Sequence, residues 1–451
     1  MSTRDEPQNQ PKQAAPLDGE QAKRRALMTV AFTLFLDLAG FGIILPILPY
    51  YAESMNASAT MVALLSTTFS AAQFLMAPVL GRISDRRGRR PVMLVSIAGS
   101  ALAATVLGFA DVLWLVFVAR LVAGSSKANV STAHAYVADL VPQDQRARYM
   151  GLMGAAMGMG FVFGPGIGGL LAIHSPHLPF FVSAGLSALN FIMAALWLPE
   201  THFPQAAKDG AEPEAGRSAS THRQAKGGLF GPEGIGRAFR TIRGTYMAWL
   251  IAIAFCFYVS FAGMESTMAL FSEHLFDWGA PETGGFMTFI GVNMVVFQGL
   301  VVGRTVSRFG EAMTLALGLL LLAFGLAAIG GADHLLALLG FEARAPEGGA
   351  SIPALVVFGI GGMLMSGGNG LSNATLSALV SRISSPEEQG WNMGLKESAS
   401  SLARVAGPAV AGPLFQHVDP GAPLFLGGVV ALVNFQVALL LRSRMKRDGL
   451  Q

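Results

Sequence analysis

The sequence has a single cysteine, Cys256, and it sits inside an apolar run. One cysteine excludes an internal disulfide framework and any cysteine-built metal site. Charge is scarce as well: Asp, Glu, Lys and Arg make up 13% of 451 residues, against 52% hydrophobic residues and a mean hydropathy of +0.50. No water-soluble core needs that much apolar sequence, so the composition is that of a polytopic membrane protein. Also missing are a phosphate-cradling P-loop, a nucleophile elbow and a paired zinc motif. ATP-driven transport and enzymatic chemistry therefore lack residues to carry them, and neither a cofactor nor a nucleic-acid partner is expected. His174 and His177 have metal-like spacing but lie in a loop with two prolines, where solvated side chains are expected and no metal.

What is present is a series of apolar runs, each near the ~20 residues that cross a bilayer as a helix. Twelve spans are predicted, the first six near 26–50, 60–80, 91–110, 112–138, 146–172 and 177–198. The second six lie near 246–272, 282–302, 312–331, 352–378, 391–415 and 421–441. This divides the chain into a polar cytosolic tail (1–25), a six-helix bundle (26–199), a polar cytosolic linker rich in Gly, Pro and basic residues (200–245), a second bundle (246–441) and a short tail (442–451). Residues 1–25 do not read as a signal peptide and are expected to be disordered. Of the 31 Lys and Arg, 26 fall in the segments placed inside, four lie within spans and only Arg344 falls outside. Because Lys and Arg resist translocation, this bias predicts both termini in the cytosol.

The densest basic stretch is 81–90, GRISDRRGRR, between the second and third spans. Its glycines are expected to allow a tight turn, and Asp85 to pair with a nearby arginine or face a helix N-terminus. A weaker copy, GRTVSRFGEA at 303–312, stands at the matching place in the second half, with Ser307 where Asp85 stands in the first. Other anchors repeat too: Leu38-Ala-Gly-Phe41 with Phe261-Ala-Gly-Met264, and Met150-Gly-Leu152 before Gly164-Pro165 with Met393-Gly-Leu395 before Gly407-Pro408. In GFVFGPGIGG (160–169), Gly160, Gly164 and Gly168 recur every four residues, leaving one helix face bare so that a neighbour can approach closely. Pro165 removes one helical hydrogen bond and invites a bend.

These motifs, together with Arg120-Leu-Val-Ala-Gly124 and Ala135-Tyr-Val-Ala-Asp139, resemble those of major facilitator superfamily (MFS) transporters. The glycine-rich fifth span, Asp37 and the Pro46/Pro49 pair are similar to the 12-helix drug:H+ antiporters, in particular the tetracycline-resistance branch. The resemblance implies an all-α integral membrane fold of two pseudo-symmetric six-helix bundles, with the substrate site between them at the midplane. It implies a cytoplasmic latch that engages when the protein is open outward, built from Gly81, Asp85, Arg86, Gly88 and Arg89 with Asp139 as a partner. It implies a gating role for Gly160, Gly164, Pro165, Gly168 and Gly169. Two departures stand out. Lys127 replaces a small residue, and the ninth span has no acidic residue, which argues against tetracycline itself.

Charges inside spans are the strongest functional clue, since each costs on the order of 2.5–3.5 kcal/mol at a helix centre unless it faces a cavity or a partner. Asp37 lies midway along the first span. Arg120, Lys127 and His134 recur every seven residues and share one face of a continuous fourth helix. Depth matches Lys127 to Asp37, family analogy favours Arg120 as the functional cation, and both stay open, as does a purely structural ion pair. Glu265 is either a second cavity carboxylate or a residue reaching outside water. Asn369 and Asn373 share a face of the tenth span, Glu397 and Arg404 of the eleventh, and Lys396 reads as a snorkelling side chain. The expected function is proton-coupled export of small, partly apolar compounds, with Asp37 and Glu265 handling protons. The alternatives are an importer or facilitator of a metabolite or organic anion, and a non-transporting receptor. The expected partners are the substrate, protons and the lipid of the cytoplasmic (inner) membrane, with the protein a monomer.

Overall fold

The computed structural model describes residues 20–127, 129–201, 246–346, 348–385 and 388–448. The predicted linker lies almost wholly outside these, as do residues 1–19. In the first half the helices are α1 (Glu20–Ile44), α2 (Leu48–Glu53), α3 (Ala59–Arg87), α4 (Arg89–Gly108), α5 (Leu113–Ser125), α6 (Asn129–Leu140), α7 (Gln143–Ala172) and α8 (Leu178–Trp197). In the second they are α9 (Tyr246–Phe276), α10 (Ala280–Phe309, with a π-helical turn at Phe297–Val301), α11 (Glu311–Gly330), α12 (Ala332–Leu338), α13 (Ile352–Ile383), α14 (Gln389–His417) and α15 (Ala422–Arg447). Among the described residues, ten helices are long and apolar enough to cross a membrane. The split pair α5/α6 and the more polar α14 complete the twelve segments.

Several boundaries differ from the sequence reading, the first and the last among them. Helix α1 begins inside the predicted tail, and α15 runs on to Arg447. The reason is the same at both ends: basic residues such as Lys23, Arg24, Arg444 and Lys446 propagate a helix well and extend it past the apolar core into polar surroundings. A larger correction concerns 81–90. It is no loop: α3 continues through Arg87, α4 starts at Arg89, and only Gly88 turns, at φ +102°. Gly81 is simply helical. Gly310 makes the same turn in the second half at φ +78°. A side chain would strain either position, so glycine is required there.

Helix α7 joins the parts. A Cβ added at Gly160, Gly164 or Gly168 would come within 2.5, 2.7 and 2.2 Å of α1 atoms, so the bare face allows α1 and α7 to touch along their backbones. Neighbouring turns of α7 meet α10 of the other half, Gly169 against Ala280 and Pro281, and Pro165 against Gly284. Helices α3 and α14 make the second seam, where Gly412 packs on Ala63 and the Thr60 N–H donates to Gln416 Oε1 at 3.2 Å. All of these contacts lie at or toward the end opposite the Gly88 and Gly310 turns. There Leu270 and Ala280 join a buried cluster otherwise made of first-half residues such as Ile47, Leu65 and Phe180. Toward the basic end the seam thins to Gly158 against Val295. Beyond that a Cβ at Gly151, Gly154, Gly299 or Gly303 would meet no atom of the described residues within 4 Å. The halves are closed together at the far end and diverge at the basic end.

Candidate functional site

The site is built where the fourth span breaks. Gly124 packs so tightly on Phe69 that a Cβ would lie 2.2 Å from its carbonyl oxygen. Ser126 then turns its hydroxyl back onto the Val122 carbonyl at 2.8 Å. A Gly/Ser run with such back-bonding is a recognised place for a helix to break. Helix α5 stops at Ser125 and α6 starts at Asn129, so Arg120, Lys127 and His134 do not share one continuous face. The expected seven-residue stripe is corrected here: Lys127 sits on the turn and reaches α1.

Asp37, only 5% exposed, meets the Lys127 ammonium at 2.7 Å through Oδ2, and the same ammonium donates to the Asp37 main-chain carbonyl at 3.4 Å. The 2.7 Å contact is an ion pair off the hydrogen-bond directions, since Oδ2 accepts no aligned bond. Arg120 takes a different place. Its guanidinium lies 4.3 Å over the Phe69 ring, and among the described residues its Nε has no hydrogen-bond partner and no carboxylate stands within ion-pair distance of it. Phe69 in turn packs on Phe41 at 5.4 Å, and the Lys127 ammonium is 5.6 Å from the Phe41 centroid. Two cations thus flank an aromatic pair whose ring faces carry negative potential, worth ~0.5–2 kcal/mol each. Asp37, Arg120 and Lys127 line a cavity of about 30 Å³ with Ser100, Ser183 and Ser187, room for roughly one or two waters. One carboxylate balances two cations there, which leaves the pocket an excess of one positive charge.

The second half faces this pocket with its own charges. Glu265, partly buried on α9, is coupled electrostatically to Arg404 and, across the interface, to Arg120. The Arg404 guanidinium lies 5.2 Å from the Tyr258 centroid, and the Tyr258 hydroxyl donates to Asn373 Oδ1 at 2.9 Å. Asn369 is buried one turn earlier on α13. Glu397 and Arg404 part company: Glu397 is exposed and pairs with Lys396 at 2.7 Å. Lys396 does not snorkel. It is buried, and donates to Ser377 Oγ at 3.0 Å. His134 is exposed, and Glu397 is the charge of the other half that acts on it.

At the basic end Arg89 binds both Asp85 and Asp139, the latter at 3.2 Å, while Arg86 is exposed. All three interacting groups belong to the first half. The N-terminus of α4 is capped by Glu200, whose carboxylate accepts from the Arg89 and Arg90 N–H groups at 2.8 and 3.1 Å, and not by Asp85. Sequence reasoning missed Glu200, Tyr258 and the Phe41/Phe69 pair, and no local motif signals them. His177 is also corrected. Its Nδ1 lies 3.1 Å from the Gly108 carbonyl, and its ring packs edge-on against Tyr51, so it is a structural side chain and not a solvated one.

Residues 30–367 match the Major Facilitator Superfamily. The chain is 31% identical to the class C tetracycline resistance protein of Escherichia coli over 389 residues, 85% of this chain and 88% of that one. It is 29% identical over 438 residues to the human major facilitator superfamily domain-containing protein 10, covering 89% of each. The crystal structure of the human organic anion transporter MFSD10 superposes with a TM-score of 0.64 at 27% identity, over 92% of this chain and 99% of that one. A peptide transporter structure of the POT type, at 15% identity and a TM-score of 0.73 over 93% of this chain and 95% of that one, shares the fold. The chain is a member of the Major Facilitator Superfamily, an all-α, multi-pass membrane transporter related to the tetracycline resistance proteins, and not an enzyme.

Proposed function

We propose that this transporter exports small, partly apolar compounds across the cytoplasmic membrane in exchange for protons, with Asp37 as the proton carrier. The observation that carries this reading is the buried Asp37–Lys127 ion pair beside a water-sized cavity. A carboxylate there has only two stable arrangements: ionised and paired, or protonated with Lys127 released. Breaking a buried pair from one side costs about 3–5 kcal/mol, enough to link a proton to a conformational choice. The charge bias supports a cytosolic basic end with both termini inside, which makes the observed conformation inward-open. Asp85, Arg89 and Asp139 then form the first-half part of a latch that waits for the second half. No second subunit is needed to complete this site, in keeping with a monomer.

A second reading has its own support. The pocket's excess positive charge, with Arg120 held in no ion pair among the described residues, suits an organic anion, and a relative is described as an organic anion transporter. The test is probe flux in everted vesicles under an imposed pH gradient, using ethidium, tetracycline and fluorescein. Gradient-driven accumulation of ethidium or tetracycline supports drug export, and accumulation of fluorescein alone supports the anion reading. Flux of none of them, or flux indifferent to the gradient, contradicts proton-coupled export of these classes.

A further inference from the structure

At the far end, α2 of the first half leans on α9 of the second. The Tyr50 hydroxyl donates to the Ala269 carbonyl at 3.3 Å and lies 2.7 Å from Thr283 Oγ1, which is 3.1 Å from Ser272 Oγ. One turn along α2 stands Glu53, and one turn along α9 stands Glu273. Their side chains are within hydrogen-bonding reach of each other, both partly buried at the seam. Two carboxylates have no donor between them unless one holds a proton.

The surroundings offer no substitute for that proton. Among the described residues no Lys, Arg or His lies within ion-pair distance of either glutamate. Arg344 is committed to Asp277 and to the His274 and Leu275 carbonyls. His177 is held by Gly108 and Tyr51 on the first-half side, Asp111 acts on Tyr51, and Glu282 accepts from the Gly279 N–H. Tyr50 feels both glutamates and stays neutral, its hydroxyl pushed up to about 12 by burial.

We propose that Glu53 and Glu273 form a second proton-binding site, one that spans the two halves and holds the far end closed while it is occupied. It rests on the orientation proposed above only for its physiological sense, which makes the occupying proton come from outside. In the closed form one carboxyl donates its O–H to the other carboxylate. When the shared proton leaves, two negative charges face each other at the seam and drive it apart. Burial, then the Glu273 hydrogen bond and charge, push the Glu53 carboxyl up to about 8 in the closed form. In the separated form it returns toward its ordinary value near 4.5. The sign follows from a closed-state value above the open-state one. Proton binding favours closure fully below about 4.5, loses that effect as pH rises, and contributes nothing above about 8. An acidic exterior thus closes the outer side and returns the transporter inward, the sense a proton-driven exporter needs.

The test is a distance measurement between spin labels at Val112→Cys and Leu338→Cys, exposed at the far end of each half, in a Cys256→Ser background. The ratio of short to long separations should fall about tenfold per pH unit between roughly pH 5 and 8 and level off above that. Glu53→Gln can donate to Glu273 without titrating, so it should stay closed and lose this tenfold-per-unit slope, keeping only the dependence that Asp37 supplies, and Glu273→Gln should do the same. Asp37→Asn should keep the slope, because its proton is a different one. The measurement needs no transported substrate, so the site can fail or stand independently of the export reading. A full slope in either glutamine variant, or loss of the slope in Asp37→Asn, overturns the proposal.

Discussion

Gly284→Ala should open the far side of the transporter without unfolding it. Gly284 lies on α10 where it crosses α7 of the other half, and an added Cβ would stand 2.4 Å from the Pro165 carbonyl oxygen and 3.2 Å from Gly169 Cα. Both obstacles are main chain and cannot rotate away, so one half must move by about 1 Å to restore ordinary contact. Overpacking of this kind costs typically about 1–3 kcal/mol. Here the cost falls on the closed seam and not on the fold of either half, since the seam opens in the transport cycle. That converts to a roughly 5- to 160-fold larger open population. The assay is the labelling rate of Leu270→Cys, buried in the far-end cluster, by an impermeant maleimide in a Cys256→Ser background. Gly285→Ala is the internal control, because a Cβ there meets no atom of the described residues within 4 Å. Equal labelling rates for the two alanine variants, or loss of folded protein with Gly284→Ala alone, would refute the reasoning.

Other expectations follow from the site and its supports. Glu200→Ala removes the carboxylate that caps α4 and should lower resistance to unfolding by about 0.5–2 kcal/mol, measured by denaturation in detergent, with transport retained by the folded fraction. Lys127→Gln should abolish gradient-driven flux, because it removes the partner of Asp37, whereas Arg120→Gln should mainly change which probes are carried. The reverse pattern would make Arg120 the coupling cation. Cysteines placed in residues 202–245 should resist impermeant reagents in intact cells, and efficient labelling would invert the proposed orientation.

The number and placement of spans were legible because each apolar run must bury itself in lipid, and that requirement is written in length and hydropathy alone. The bare face of α7 was legible for a similar reason: a four-residue glycine period has one consequence for a helix neighbour. The break after Ser125 was harder. Gly124-Ser125-Ser126 is compatible with a continuous helix, and it breaks because Gly124 is pressed against Phe69, a contact more than fifty residues away in sequence. That break decides which cation meets Asp37, so the choice between Arg120 and Lys127 could not be made from periodicity. Glu200 was hidden in the same way. It looked like the first residue of a linker, and its work is done at a helix terminus 110 residues earlier.

The most direct test of the central claim is proton release from purified protein on addition of a transported probe, compared between wild type and Asp37→Asn. The substitution keeps the side chain's size and its reach toward Lys127 but cannot take up or give back a proton. Wild type should release protons on binding and drive flux under a pH gradient. Asp37→Asn should insert normally, bind the probe, release no protons and show no gradient-driven flux. Proton release and flux at wild-type levels in Asp37→Asn would contradict the account and move the carrier to another carboxylate, Glu265 first.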